Sequence, residues 1–535
     1  MAESQRFLPA GQDGLLIELA DLETTLTLHD RLRASPLEGV TEMVVGARTL
    51  LLSFDGRVTD PRPLVARIRQ IDLLKRTVRE GETIEIPVTY DGEDLDDVAR
   101  LLGWSVPELI RRHGAATYTV AFTGFAPGFA YMTSDDPALE VSRRTSPRTR
   151  IPAGSVALGG KFGGIYPSDS PGGWQLIGRT PLKMWDTNRS PPALLAPGHR
   201  VRFREIGKEA PAQEPTTTQP AQASVQAGPS ARGLLVTRAD RPALFQDLGR
   251  PAQAPQGVSV SGALDRYSLS EANLCVGNPP GAAAVEIAYG GFAVRAGLPV
   301  TLAVAGAPAP LKILTAEGRS LPAPHGRPFA LDAGDELTLA VPPEGTRSYL
   351  ALRGGFAVKT TLGSAATDTL ARVGPPPIHE GDLLLAENGP CAAVDPFRPP
   401  PPSLPKASDT VVIDVAPGPR EDWLTPDALR LLLDQPWEVT SETSRVGARL
   451  RGAQHLTRQE MKELPSEGTP RGAIQVPHSG EPVLFLADHP VTGGYPVIAV
   501  VARHHLDLAG QVPIGARIRF RALPCFGHFR KDSPS

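Results

Sequence analysis

Pro152-Ala-Gly-Ser-Val-Ala-Leu158, Gly172-Gly-Trp174 and Gly198-His-Arg-Val-Arg-Phe203 have counterparts, in the same order, near the other end of the chain. There the blocks read Pro470-Arg-Gly-Ala-Ile-Gln-Val476, Gly493-Gly-Tyr495 and Gly515-Ala-Arg-Ile-Arg-Phe520. Three matching blocks with similar gaps indicate two copies of one β fold. Their wide separation argues for discrete lobes and against a solenoid. Fainter echoes of the closing strand, Gly334-Asp-Glu-Leu337 and Gly381-Asp-Leu-Leu384, predict a diverged third copy between them.

Outward from the repeat, the first stretch reads β-α-β-β-α-β. Gly14–Ala20, Val40–Val45, Arg48–Phe54 and Ile84–Val88 are strand-like, and Leu22–Ala34 and Pro61–Leu74 carry helical spacing. This order predicts a ferredoxin-like α+β subdomain over residues 1–88. Residues 94–113 read as a helical pair broken at Val106-Pro107, and short apolar runs divided by Gly and Pro follow up to Phe203. Residues 208–232 contain almost no large apolar side chain, so they cannot bury enough surface to offset their ordering entropy and read as a linker. A second boundary falls at 397–408, where Pro399–Pro402 form a stiff stretch. The expected units are thus 1–88, a barrel at 89–207, the linker, a barrel at 233–396, the connector, and a second copy of the repeated barrel at 409–535. The expected class is mainly β with an α+β N-terminal part.

Composition limits the function. The 535 residues carry a formal charge of −3, so nothing draws the whole molecule to nucleic acid or anionic lipid. The 53 Gly and 56 Pro are scattered as turn punctuation. Cys275, Cys391 and Cys525 are far apart and form no C-x-x-C pair, which argues against a disulfide framework or a zinc site. No basic-then-apolar leader and no run of about 18 apolar residues appears, so the expected location is the cytoplasm.

Phe122-Thr-Gly-Phe-Ala-Pro-Gly-Phe-Ala-Tyr131, Ser146-Pro-Arg-Thr-Arg-Ile-Pro-Ala-Gly-Ser-Val156 and Ser170-Pro-Gly-Gly-Trp-Gln-Leu-Ile-Gly-Arg-Thr-Pro181 resemble the B component of the ATP-hydrolysing 5-oxoprolinase family. Phe245-Gln-Asp-Leu-Gly-Arg250, Val260-Ser-Gly-Ala-Leu-Asp-Arg266, Asn273-Leu-Cys-Val-Gly-Asn278, Ser444-Arg-Val-Gly-Ala-Arg-Leu450 and Thr492-Gly-Gly-Tyr-Pro496 resemble its C component. The same modules, also called allophanate hydrolase subunits 1 and 2, form the carboxyltransferase region of urea carboxylase. The resemblance implies cyclophilin-like barrels for the repeated lobes. It also implies opening of 5-oxo-L-proline to L-glutamate with ATP and Mg²⁺, together with a separate A component. Two departures bear on the substrate more than the fold: Phe162 and Gly163 stand where the pattern of the B component has Gln-Thr, and Ala448 replaces a Tyr in the pattern of the C component.

Phosphorylation and hydrolysis of an amide want a metal on hard carboxylates, cations for the phosphoryl group and a general base. No G-x-x-x-x-G-K-[ST] sequence occurs, so a nucleotide site is either unusual or lies on the partner. The candidate catalytic groups are Asp265, Glu286 and His113. Each has a bland alternative: Asp265 precedes Arg266–Cys275 as a helix cap, Glu286 guards a strand edge, and His113 sits at a helix end where the dipole favours imidazolium. Candidate substrate or nucleotide binders are Phe125, Gly128, Tyr131, Arg148, Ser155, Gln246, Asp247, Arg250, Arg266, Arg445 and Gln475. The aromatics around Gly128 would wall a small ring or simply close a barrel core. The arginines, with Arg150 and Arg179, would hold carboxylate or phosphate or serve in surface ion pairs. His504-His505 are adjacent and expected on opposite faces of a strand, so no metal site is read there. One cleft lined by both halves is expected, with Asp265 or Glu286 in hydrogen-bond reach of residues 120–180.

Two other readings stand beside the hydrolase. One is a biotin-dependent carboxyltransferase module acting on urea or a related amide; no Ala-Met-Lys-Met acceptor is present, the nearest string being Glu460-Met-Lys-Glu463. The other is a regulatory binder of a kinase, as for some relatives of both halves. A homo-oligomer is compatible with all three.

Overall fold

A computed structural model describes residues 5–73, 81–144, 146, 148–207, 233–394, 398, 401–462 and 464–523. The linker 208–232, Cys525 and positions 397, 399 and 400 of the connector lie outside the described residues.

The first lobe is an antiparallel sheet in the order Arg6–Pro9, Gly14–Glu18, Thr49–Phe54, Val40–Val45. The helices Leu22–Ala34 and Pro61–Arg69 accompany it, capped by the side chains of Asp21 and Asp60. Leu28, Leu32, Leu64 and Ile68 turn one helical stripe each into a common core with Leu15, Ile17, Leu50 and Leu52. The expected fourth strand is corrected. Thr83–Val88 leaves this sheet and runs parallel to Arg200–Glu205 in the next lobe. Its place beside Gly14–Glu18 is taken by Arg6–Pro9, which needs only a short hairpin to get there. Ile86 and Val88 are fully buried in the core of the following barrel, so the lobe boundary falls before residue 83 and not after 88.

That barrel has the order Gln175–Arg179, Ser155–Gly159, Phe162–Ile165, Ala130–Ser134, Thr117–Thr123, Arg200–Glu205, Thr83–Val88. The C-terminal barrel runs Val497–Val501, Ala473–Gln475, Val483–Phe485, Gly447–Arg451, Trp437–Val439, Arg517–Ala522, Thr410–Pro417. Strand for strand these are the same topology, including the parallel pair formed by first and last strands. Even the small side ribbons correspond: Arg148–Ile151 with Ser170–Gly172, and Glu467–Gly468 with Thr492–Gly493. The copies differ in closure. Thr410–Pro417 pairs Val415–Pro417 with Ala499–Val501 and closes the ring, whereas the earlier copy closes through the single bridge Thr89–Arg179.

The intervening lobe does not repeat this order. It consists of a six-stranded and a five-stranded antiparallel sheet enclosing Val236, Val294, Leu302 and Leu350. The expected third copy is absent because its supposed closing strand, Glu336–Leu339, pairs antiparallel on both sides. The helix Arg266–Cys275 lies on the five-stranded sheet, where Ala303, Ala305 and Ala351 let Leu269 and Ala272 approach closely. No described helix is long and apolar enough to cross a membrane.

Candidate functional site

The aromatic turn lies where the two halves meet. Thr117–Thr123 and Ala130–Ser134 present residues 124–129 at the barrel's end, with Phe125 at φ 63° and Gly128 at φ 77°. Phe122 stacks on Tyr131 at 4.4 Å, and Phe129 meets Tyr131, Tyr166 and Trp174 edge-on. Of the turn's rings, Phe122, Phe129 and Tyr131 are buried core and Phe125 is partly exposed. The turn amides do not face an open ligand pocket. Phe125 N–H donates to Thr492 Oγ1 (3.1 Å) and Gly128 N–H to the Gln256 carbonyl (3.0 Å), while the Thr123 hydroxyl donates to the Pro255 carbonyl (2.7 Å). Gly257 (φ 75°) is required here, since a Cβ would lie 2.6 Å from the Ala126 oxygen.

Beneath this contact lies a buried ionic network of the second half. Glu286, on Ala284–Ala288, accepts from the Tyr349 hydroxyl (2.8 Å) and the Leu264 amide (3.1 Å), and pairs with Arg445 Nη1 at 2.5 Å. Arg445 also grips both oxygens of Asp488 at 2.9 Å and donates to the Gly262 carbonyl. Asp488 further accepts from Ser261, Thr369 Oγ1 and the Thr369 amide. Burial opposes charge on Arg445 and on Asp488. The flanking carboxylates nevertheless hold the Arg445 guanidinium above its usual value, and Arg445 keeps Asp488 below the usual carboxylate range.

Asp265 caps its helix, accepting from the Ser268 amide (2.8 Å) and hydroxyl (2.6 Å) and from Gln511 Nε2 (2.8 Å). Its own amide donates to the Tyr349 hydroxyl (2.9 Å), which in turn donates to Glu286. Burial, reinforced by Asp507, pushes its carboxyl up to about 6. Among the described residues, neither Asp265 nor Glu286 has a hydrogen bond to 120–180, contrary to expectation. The link is indirect. Residues 250–261 and 488–492 each touch the network at one end (Ser261, Asp488) and the aromatic turn at the other (Pro255–Gln256, Thr492). The strands end before reaching one another, so loop backbone bridges the gap.

The other expected residues divide. Gln475 donates to the Tyr495 carbonyl (3.0 Å) behind the Thr492 ribbon. Asp247 binds Ser364 and the amides of Gly249 and Ala365, closing a loop. Three are occupied by partners within the first barrel. His113 is wholly buried in the first barrel, 2.7 Å from the Tyr90 hydroxyl, and burial lowers it to about 3. Arg148 is committed to Asp94 at 2.8 and 2.9 Å, and the Ser155 hydroxyl to the Pro152 carbonyl. Arg150 and Arg179 are surface ion-pair partners of Asp169 and Asp91. Sequence reasoning missed Tyr349, Asp368, Asp488 and Gln511; none lies in a distinctive motif, although Asp488-His489-Pro490 does end an apolar run.

Arg250 has unused valence. It is 1% exposed and donates Nη2 to the Ala366 carbonyl, while Nε and Nη1 have no partner. Burial lowers its guanidinium below the usual value; Asp368, Asp247 and Asp488 favour its charge from nearby, yet none bonds it. Asp368 is spent on Ser259 and the amides of Leu370 and Ala371, and burial raises its carboxyl. Gln246, next along the loop, leaves Oε1 unpartnered. Arg266 has a free Nε, and burial beside Arg471 lowers it to about 9. Two free donors on one guanidinium suit a carboxylate or another small oxyanion.

A nucleotide with Mg²⁺ does not fit the described residues. Each described α-helix of eight or more residues has at least one N-terminal amide taken by the chain's own side chains, from Asp21, Asp60, Ser105, Asp265 with Asp507, and Thr425. The usual phosphate position is therefore partly filled by the chain itself. Among the described residues, the candidate metal cluster is Asp414 with His504 and His505. The two histidines sit in the turn Arg503–His505, not on opposite faces of a strand, so both reach Asp414. Imidazoles are poor magnesium ligands, and Arg521 already takes both oxygens of Asp414.

Comparison with known proteins places these features. Residues 5–195 match the family described as carboxyltransferase domain, subdomain C and D, and residues 256–522 match carboxyltransferase domain, subdomain A and B. The first half is 43% identical over 176 residues to the B component of 5-oxoprolinase from Haemophilus influenzae, covering 32% of this chain and 82% of that protein. The second is 33% identical over 293 residues to the C component of 5-oxoprolinase from Escherichia coli, covering 54% of this chain and 90% of that protein. The crystal structure of TTHA0988 superposes with a TM-score of 0.77 and 34% identity, over 95% of this chain and 99% of that one.

Proposed function

Because the chain belongs to the family of 5-oxoprolinase B and C components, with both carboxyltransferase modules in one polypeptide, we propose that it is the fused B–C component of an ATP-dependent 5-oxoprolinase. The observation that carries this reading is that each half matches a different component of one enzyme, and the halves pack together through the aromatic turn. The substrate is 5-oxo-L-proline and the product L-glutamate. The nucleotide and its metal bind a partner of the A type, in keeping with the partly filled helix termini of this chain.

In this reading the chain supplies binding and proton management. Arg250 receives the substrate carboxylate, as a buried cation whose Nε and Nη1 have no partner among the described residues. Asp265, with a carboxyl near 6, holds or releases a proton close to neutral pH. Glu286 and Arg445 fix the Tyr349 hydroxyl against the Asp265 amide, which keeps Asp265 oriented. The test is glutamate formation from 5-oxoproline and ATP, with the purified chain alone and with the A-type component of the same organism. Little turnover alone and strong turnover with the partner are expected; robust turnover by the chain alone would contradict the proposal.

A second reading is favoured by the family description itself, a carboxyltransferase. It predicts urea-dependent decarboxylation of a carboxylated biotin carrier added in trans. Activity in that assay, with none on 5-oxoproline, would replace the first reading.

A further inference from the structure

A cavity of about 410 Å³ opens at one end of the five-stranded sheet, in the lobe that does not repeat the barrel fold. Its wall carries one cation and one anion. Arg353 follows the strand Arg347–Leu352 and Asp332 follows Phe329–Leu331. The Arg353 backbone is pinned by donation to the Thr301 carbonyl (2.9 Å). Its Nη1 is anchored on the Val276 carbonyl (2.7 Å), with a longer contact to Ala392, so the guanidinium is fixed at one end. The Asp332 amide donates to Asp335 Oδ2 (3.0 Å), which holds the segment while leaving the Asp332 carboxylate to face solvent. Among the described residues neither charge has an ion-pair partner, and the two are not paired with each other.

The remaining wall is rigid and mixed in polarity. Asn388 adopts φ 61° and Gly354 φ 88°, and the two segments are tied by the Gly389 amide on the Gly354 carbonyl (2.7 Å). The buried Val300, Leu331 and Leu352 supply apolar surface beside the charges.

A cation and an anion without ion-pair partners, lining one small cavity of mixed polarity, match a ligand that carries both opposite charges on a short aliphatic body. We propose that this cavity binds an aliphatic α-amino acid as its zwitterion, the carboxylate on Arg353 and the ammonium on Asp332. The site is separate from the Arg250 loop and independent of the reaction assigned above.

Calorimetric titration of the full chain tests it with three probes: L-leucine, 4-methylpentanoate (which lacks the ammonium) and 3-methylbutylamine (which lacks the carboxylate). Saturable binding of L-leucine is expected, at least tenfold tighter than either analogue. Asp332→Asn should abolish the advantage of L-leucine over 4-methylpentanoate, and Arg353→Gln its advantage over the amine. Both side chains are exposed, so thermal melting should be unchanged in the variants. No saturable binding, or binding indifferent to both substitutions, would overturn the proposal. Because 5-oxoproline lacks a free ammonium, loss of this site and loss of lactam turnover are separately measurable.

Discussion

Asp265 was legible as a catalytic group or as a helix cap, and the folded chain makes it the cap. Three donors satisfy its oxygens, yet burial still holds its carboxyl near 6. With the folded value raised above the ordinary carboxylate value, the native state holds this proton more tightly than the unfolded chain does. The corresponding stability is present below about pH 4 and is lost as pH rises through 6. Asp265→Asn, which cannot ionise, should therefore gain on the parent by roughly 1–3 kcal/mol between pH 4 and pH 7; urea unfolding at both pH values measures the difference. A constant difference would show that Asp265 does not titrate in that window. Arg445 behaves oppositely. Arg445→Met strands Glu286 and Asp488 without their cation and should cost about 3–5 kcal/mol, read as a fall in the unfolding midpoint. The sequence could offer Arg445 only as a plausible hydrogen-bonder, because its partners lie 43 and 159 positions away and share no motif with it.

At the level of elements, the repeat was readable because glycine turns and alternating apolar residues recur in blocks, and both barrels carry the same strand order. The strand Thr83–Val88 was misplaced for a reason local pattern cannot overcome. Its partner is more than a hundred residues away and parallel, and nothing in six residues says which sheet they join. The third copy failed for a related reason, since a Gly-Asp turn before an apolar run marks a strand but not its neighbours. The aromatic turn was expected at a cleft lined by both halves, but its partners there were not legible, because they are carbonyls and Thr492 of the other half. Gly257→Ala tests that interface. A methyl group there meets the Ala126 oxygen in a backbone conformation that alanine disfavours. A loss of roughly 1–3 kcal/mol is expected, measured by thermal or urea melting; full stability would mean that the two loops are not tightly apposed.

On the scale of the whole molecule, the second half does not serve the first through one seam alone. Arg420 reaches Glu18 (3.2 Å) and Glu467 (2.7 Å), and Arg503 reaches Asp13, so the N-terminal lobe docks on the C-terminal barrel while the first barrel docks on residues 254–257. Composition marked residues 208–232 as a linker, but the docking itself rests on tertiary contacts that no composition records. In the proposed reading both halves form one working unit, held by these contacts and completed by a separate component of the A type. A protease site placed within residues 208–232 of the intact folded chain tests it. After cleavage, the two pieces should still elute together at micromolar concentration and keep full glutamate formation with the A-type partner. Separation of the pieces, or undiminished turnover by either piece alone with that partner, would contradict the account.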